Sequence, residues 1–365
     1  MPRARELGLV GPGLPPGPLN AITDVAGVLV GHATLIAGEG ALRPGHGPVR
    51  TGVTVIRPHG GNLFRDKVPA AVYTLNGYGK PLGFEQVREL GLLEAPIALT
   101  NTLNVGLVAD ALVQAAIEAS PEIGITTSSV NVVVGETNDG YLNDLQGRHV
   151  RAEHVRAALA SAASAAGGPV AEGSVGAGTG TSAFGWKAGM GTASRVLPPQ
   201  AGGYTLGALV QANFGRAAQL TIRGVPVGQV ITPPRDDPGG PGSVMIVLAT
   251  DAPLDARQLG RLGPRAGVGL ARLGSTLDHG SGDFVIAFSP AATVPHTPPA
   301  LTEQRAVVVD EARLTKWLFP AVAEAVEEAV LNALCAAENM VGRDGHVRHA
   351  LPVGEVARLV AAHQA

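Results

Sequence analysis

A serine that becomes the first residue of a chain carries its own base, and the stretch "DDPGGPGSVMIVLAT" (236–250) places a serine where that could happen. Ser243 follows Gly242 and opens an eight-residue segment rich in aliphatics. A hydroxyl is a poor nucleophile until a base removes its proton. Cleavage of the Gly242–Ser243 bond would set a free α-amine beside the Ser243 hydroxyl. With an ordinary pKa of about 7.7–8.0, roughly a quarter of such amines are neutral at slightly alkaline pH and can act as that base. Glycine on the acyl side can take backbone angles closed to other residues and leaves its carbonyl open to attack. Pro238 and Pro241 stiffen the approach. Taken alone, the dipeptide reads more simply as a turn entering a strand.

Other patterns carry less chemistry. "GAGTGTSA" (176–183) contains G-x-G-x-x-A, but no strand leads into it and no acid follows about 20 positions on, so it reads as a glycine-rich wall where backbones approach closely. Asp278 and His279 stand beside Ser281, yet neighbours in sequence rarely have the mutual geometry of a catalytic triad. The ten histidines are scattered, with no H-E-x-x-H and no i,i+4 helical pair. Neither a catalytic metal nor another cofactor is expected.

The elements that must position Ser243 are legible as apolar runs. Strands are expected at 52–58, 70–76, 95–101, 131–137, 208–214, 218–224, 243–250 and 283–289. Several are nearly continuously apolar, as suits strands covered on both faces. Helical patterns fall at about 103–119, 153–166, 255–273 and 312–340. In the last, Val322, Val326, Val330 and Leu334 form a stripe that Glu324, Glu327, Glu328 and Glu338 avoid. Doubly covered strands and amphipathic helices imply an α/β fold in which helices sandwich sheets. The Pro/Gly-rich stretch 233–242 is the best boundary candidate, but it opens straight into what reads as a central strand. It looks like a cut within one domain.

Composition removes whole classes of function. The 365 residues are 45% hydrophobic but only 4% aromatic, so the core is built of Ala, Val, Leu and Ile. The 50 glycines and 28 prolines scatter among periodic segments, which argues for tight turns and against disorder. A net charge of −3, no Lys/Arg run and few aromatics leave no footprint for nucleic acid. The start "MPRARELGLVGPG" has no apolar signal region, and no uninterrupted apolar stretch reaches 18 residues, so no membrane association is expected. The single cysteine, Cys335, excludes an intramolecular disulfide and a cysteine-based zinc cluster. The default location is cytoplasmic.

The junction "GPGSVMIVLATDAPL" resembles that of the DmpA-type aminopeptidases, which include L-aminopeptidase/D-alanine esterase-amidases and β-peptidyl aminopeptidases. Companion blocks fit the same family in the same order: "ITDVAGVLVGHAT" (22–34), "TGVTVIRP" (51–58), "GETNDGYLND" (135–144), "GSVGAGTGTSAFGWKAGMGTAS" (173–194), "VQANFG" (210–215), "GSGDFVIAFS" (280–289) and "EEAVLNALCAAENMVGRDG" (327–345). The resemblance spans essentially the whole chain. It implies a four-layer αββα sandwich, self-cleavage between Gly242 and Ser243 into chains 1–242 and 243–365, no metal, and assembly into a homo-oligomer, typically a tetramer of such two-chain subunits.

Site residues follow from the resemblance position by position. Ser243 matches the nucleophile. Asn213 and Tyr141 match residues around the oxyanion, where an amide N–H and a phenol O–H meet developing charge without adding a counter-charge. Ser281 and Asp283 match a serine-x-acid pair near the nucleophile, read as a proton relay. Some relatives carry glutamate at the acid, so the aspartate here has one methylene less reach. Glu136 is the candidate for gripping the substrate's ammonium group, and Asn101 and Asn104 are candidates for lining the pocket. The activity implied is release of N-terminal residues from short peptides, amino-acid amides or esters. An acyltransferase or another amidohydrolase would use the same acyl-enzyme. An uncleaved binding protein on the same fold is the non-enzymatic alternative.

Overall fold

Two sheets stacked face to face, with helices on both outer sides, make up the computed structural model, which describes residues 2–234 and 242–364. The first sheet contains β1 (Leu29–Ala37), β2 (Val49–Arg57), β4 (Ile97–Asn101) and β5 (Val133–Thr137), in that spatial order. The second runs β3 (Asp66–Gly77), β9 (Gly282–Phe288), β8 (Ser243–Thr250), β7 (Thr205–Asn213) and β6 (Met190–Val196), with two-residue strands at 92–93 and 294–295 pairing with β3. Helix α1 (Phe84–Leu90) follows β3. Helices α2 (Val105–Ala119) and α3 (Ala152–Ala165) cover the first sheet. Over the second lie α4 (Ala256–Gly260), α5 (Gly263–Arg272), the long α6 (Glu311–Cys335) and α7 (Val353–Gln364). The expected αββα sandwich is the observed one.

Strand β8 shows why the pattern was readable. Successive side chains of a strand point to opposite faces. Val244, Ile246 and Leu248 enter the core shared with the helices, while Met245, Val247 and Ala249 enter the core between the sheets. All eight residues are buried. The segments on either side of the Pro/Gly stretch are β7 and β8, antiparallel neighbours in one sheet. Pro238 and Pro241 lie outside the described residues.

Three expectations need correction. Residues 218–224 form no strand but a 3-10 turn at Ala217–Gln219 and a single bridge from Ile222 to Val225. Arg223 and Gly224 have positive φ, which reverses the chain there. The helix drawn through 255–273 is two helices. Pro264 lacks an N–H, and its ring would strike the carbonyl of Gly260, so the ladder stops and restarts. The last long helix ends at Cys335, and Met340–Val341 instead pairs with Val347–Arg348 in a small hairpin.

Strands β1 and β6 are not among the expected strands: small residues dominate β6 (MGTASRV), and a glycine interrupts the apolar start of β1 (LVGHATLIA). A Cβ on Gly191 would lie 2.0 Å from the Ala329 carbonyl oxygen of α6, and one on Gly31 would lie 2.2 Å from that of Ala158 in α3. Sheet and helix touch too closely there for any side chain.

The glutamates beside the α6 stripe are not simply solvated. Glu328 is fully buried and pairs with Arg195 at 2.8 Å and Arg5 at 2.6 Å, and it accepts from Asn20 Nδ2 at 2.7 Å. Burial raises the Glu328 pKa, but Arg5, Arg195 and Asn20 outweigh it and hold the carboxyl below its ordinary value. Removing one partner of such a pair leaves a buried charge uncompensated. Glu328→Ala is expected to cost about 3–5 kcal/mol, read as a lower urea midpoint. A loss within 1 kcal/mol, typical of a surface pair, would show that Arg195 finds water instead.

Candidate active site

Register brings three strands together at one end of the second sheet. Ser243, the first residue of β8, pairs with Asn213, the last of β7, and with Gly282, the first of β9. Ser243 shares its face with Met245 and Val247, and Asn213 shares its face with Leu209, so both side chains point between the sheets. Directly opposed residues have Cβ atoms roughly 4.5–5.5 Å apart. The Gly282 N–H lies 3.3 Å from both Ser243 Oγ and the Gly242 carbonyl oxygen. One backbone donor therefore touches the hydroxyl and the carbonyl before it.

Gly242 is required for space: a Cβ there would stand 2.4 Å from Phe214 Cα and 2.5 Å from the Asn213 carbonyl oxygen.

Ser281 and Asp283 flank Gly282. Ser281 Oγ donates to Asp283 Oδ1 at 2.6 Å, and Oδ2 has no hydrogen-bond partner although buried. Asp283 pairs in register with Val244 and shares its face toward the helices. The carboxyl thus stands on the face opposite the Ser243 hydroxyl, beside the Val244 N–H. Burial raises the Asp283 pKa to about 6, with Asp278 adding to the rise and bonds from Ser281 and the Val244 N–H opposing it. The turn carrying Ser281 is clamped by Asn76 of β3, the register partner of Asp283. Asn76 Nδ2 donates to the carbonyls of Asp278, His279 and Ser281. Asp278 itself turns to Arg216 and Thr276, and the triad set aside from sequence does not form.

The Asn213 amide is fixed from both ends. Its Oδ1 accepts the Ser182 N–H at 3.1 Å, and its Nδ2 donates to the Asn138 carbonyl at 3.0 Å. A backbone N–H only donates and a carbonyl only accepts, so one amide orientation satisfies both, and one Nδ2 hydrogen remains for another acceptor. Behind Ser182 sits its strand partner Lys187, fully buried, whose ammonium donates to the carbonyls of Gly178, Thr181 and Ala188 at 3.2, 2.9 and 2.5 Å. Burial pulls the Lys187 pKa down and pushes that of nearby Asp139 up, each partly offset by the other's charge. Three carbonyl acceptors need three donors, which favours the charged ammonium. The glycine-rich segment is thus a wall tied together by one lysine.

A cleft of about 420 Å³ opens beside Gly242 and Asn213. Tyr141 lines it, its ring held between His346, at 4.5 Å and nearly parallel, and the Arg348 guanidinium at 3.6 Å. Glu136 lies to the other side of Ser243. It is buried, its Oε1 accepts from the Lys80 N–H at 3.0 Å, and it sits beside Gly79, which adjoins Phe284 of β9. Asn101 and Asn104 are buried in the first sheet and at the start of α2. Asn101 donates to Thr51 and Asn104, and Asn104 donates to the Val150 carbonyl. Neither lines the cleft among its described residues. Their bonds read as structural.

Asn76, Ser182, Lys187, Arg343 and Arg348 were not singled out from sequence. Lys187 left a trace: a lone lysine within "AFGWKAGM" must be buried with partners or end a strand. Asn76 left none, since "LNG" is an ordinary strand end. Among the described residues no group of three or more His, Cys, Asp or Glu side chains could share a metal ion.

The model described as peptidase family S58 matches residues 20–348. A β-peptidyl aminopeptidase, BapA, of Sphingosinicella microcystinivorans is 41% identical over 372 residues, covering 97% of this chain and 91% of its own. The crystal structure of the PH0078 protein from Pyrococcus horikoshii OT3 superposes with a TM-score of 0.92 at 49% identity, covering 100% of this chain and 99% of its own. The L-aminopeptidase D-Ala-esterase/amidase of Ochrobactrum anthropi, described as a prototype for the serine aminopeptidases and a variant of the Ntn hydrolase fold, superposes at 0.92 with 40% identity, covering 100% and 99%.

The Asp283 carboxyl makes a stability prediction. A raised pKa means that folding favours the protonated form, so the stabilisation is complete below about pH 3.8 and is lost as pH rises through about 6. At pH 7.5 the buried carboxylate costs on the order of 2–3 kcal/mol, from a shift of about two units. Asp283→Asn is therefore expected to melt higher than wild type at pH 7.5, with the gain gone by pH 4. An equal or lower melting temperature at pH 7.5 would contradict the assignment.

Proposed function

The chain belongs to peptidase family S58, and from that premise we propose that it is a self-processing serine aminopeptidase whose nucleophile is Ser243. The observation that carries the reading is the register of β7, β8 and β9, which sets a serine between an oriented amide and a buried Ser–Asp pair.

Activation begins with attack of Ser243 Oγ on the Gly242 carbonyl. The Gly242 oxygen, which already faces the Gly282 N–H, takes the developing negative charge. As the C–N bond breaks, the proton lost from Oγ ends on the Ser243 nitrogen, with Ser281 as the nearby hydroxyl able to carry it. Water then hydrolyses the resulting ester. This leaves a Gly242 carboxylate and a Ser243 with free amine and free hydroxyl. Chains 1–242 and 243–365 stay together, because β8 is paired on both edges and buried on both faces.

Catalysis repeats the chemistry on a substrate. The Ser243 amine takes the hydroxyl proton, with Ser281 and Asp283 holding that amine, and Oγ attacks the carbonyl of the substrate's first residue. Asn213 Nδ2 and the Tyr141 hydroxyl receive the oxyanion. The amine returns the proton to the leaving nitrogen, and water clears the acyl-enzyme by the same route. Glu136, buried and 3.7 Å from the exposed Lys80 ammonium, anchors the substrate's own ammonium, since a blocked N-terminus would leave the buried carboxylate with that one long contact. The names of the relatives point to peptides, amides and esters with a free amine, β-amino acids included.

Two variants test the reading. Asn213→Ala removes one oxyanion donor, and kcat on alanyl or β-alanyl p-nitroanilide is expected to fall about 10²–10³-fold. An unchanged kcat would remove Asn213 from the site. Gly242→Val forces a Cβ into Phe214 and is expected to leave uncut precursor where wild type is processed. Equally rapid processing, followed by gel electrophoresis, would show that the junction tolerates the side chain.

A further inference from the structure

The Lys187 ammonium and the Asn213 amide are joined by a single peptide group. Lys187 Nζ donates to the Thr181 carbonyl at 2.9 Å, and that carbonyl shares its peptide with the Ser182 N–H, which donates to Asn213 Oδ1 at 3.1 Å. On the other side, Asn213 Nδ2 donates to the Asn138 carbonyl at 3.0 Å. That carbonyl shares its peptide with the Asp139 N–H, one of the donors to the Asp139 carboxyl. Three amide dipoles therefore run head to tail from a buried ammonium to a buried carboxyl. The middle one belongs to the candidate oxyanion donor.

A tight hairpin holds this link in register. Ser182–Ala183 pairs with Trp186–Lys187 across a two-residue turn, and Phe184 and Gly185 both have positive φ, as a hairpin turn that matches strand twist requires. Ser182 and Lys187 are thereby set opposite each other. The turn is seated on the residue after Asn213: the Phe184 N–H donates to the Phe214 carbonyl at 2.8 Å, and the two rings meet edge to face with centroids 5.2 Å apart. The lysine is thus fixed to the same strand end as the amide it reaches.

Tying the wall together needs donors but not charge. A fully buried ammonium is costly unless it is paired, and Asp139 is the charge that opposes its desolvation. The carbonyls of Gly178, Thr181 and Ala188 call for three donors, which only the charged form supplies. A carbonyl that accepts from an ionised donor makes the N–H of its own peptide a stronger donor in turn. An amide held at Oδ1 by such an N–H carries more positive charge on its remaining Nδ2 hydrogen. We propose that Lys187 is a positioning residue for catalysis that polarises Asn213 through the Thr181–Ser182 peptide, so that the substrate oxyanion meets a stronger donor than an isolated amide. This rests on the reading of Asn213 as an oxyanion donor in a serine aminopeptidase and adds to it the source of that donor's strength.

A double-mutant cycle on the mature enzyme tests this, pairing Lys187→Gln with Asn213→Ala and using alanyl p-nitroanilide. Glutamine keeps two N–H donors for the wall and drops the charge. With an oxyanion donor worth about 10²–10³-fold and strengthened by about 10–30% per polarising bond, Lys187→Gln is expected to lower kcat about two- to eightfold with KM unchanged. In the Asn213→Ala background the same substitution is expected to leave kcat where it was, whereas a general loosening of the wall would persist there. A second variant keeps Lys187 and cuts the link, by replacing the Ser182 backbone N–H with an ester oxygen. Its kcat is expected to fall at least as far, and it decides the matter if the Lys187→Gln chain does not mature. An unchanged kcat in Lys187→Gln or in the ester variant overturns the inference. So does a Lys187→Gln loss carried in full into the Asn213→Ala background. Each of these leaves the aminopeptidase reading standing, whereas a wild type that hydrolyses no p-nitroanilide overturns both.

Discussion

Everything at the site depends on β8 having no freedom to slide. The strand is paired on both edges and apolar on both faces, with alternate residues in two different cores. A shift of one residue would exchange those faces and carry Met245 and Val247 into the helix-side core. The register is therefore fixed by burial along all eight residues, and the first residue inherits that precision. Ser243 needs no side-chain support to be placed, because seven residues behind it place it.

The neighbours are set by the same means. Asn213 closes β7 and Gly282 opens β9, so the oriented amide and the Ser281–Asp283 pair arrive at Ser243 through strand pairing. What pairing cannot do is orient side chains, and there the structure spends buried polar groups. Ser182 and Asn138 fix the Asn213 amide, Lys187 fixes the wall that contains Ser182, and Asn76 fixes the turn before Ser281. The cost of desolvating Lys187 and Asp283 is visible in their shifted pKa values. Such costs concentrate where geometry must not relax.

The strands that carry the site were legible because they are nearly continuously apolar, as a doubly covered sheet requires: "SVMIVLAT" and "DFVIAFS" match β8 and β9 to within a residue. The layer arrangement follows from them. Strand β6 was illegible for an equally physical reason. Close approach of α6 replaces the expected large side chains with glycine, alanine and serine, so the hydrophobic signal vanishes where packing is tightest. Of the site, Ser243, Asn213, Ser281, Asp283 and Tyr141 were marked by motif blocks. The arginines of the 340–348 hairpin and the Asn76 clamp were not, since their meaning lies in contacts just over 200 residues away that no local pattern encodes. Asn101 and Asn104 illustrate the converse, polar residues in a suggestive block whose bonds are internal to the fold.

The account stands on Ser243 becoming an N-terminus. The direct measurement is the intact mass of purified wild-type protein beside Ser243→Ala, with N-terminal sequencing of each chain found. The account predicts two chains for wild type, one beginning Ser-Val-Met-Ile, and a single uncut chain for the variant. A wild type that stays whole under native conditions, or a variant that is cut at the same bond, would contradict it.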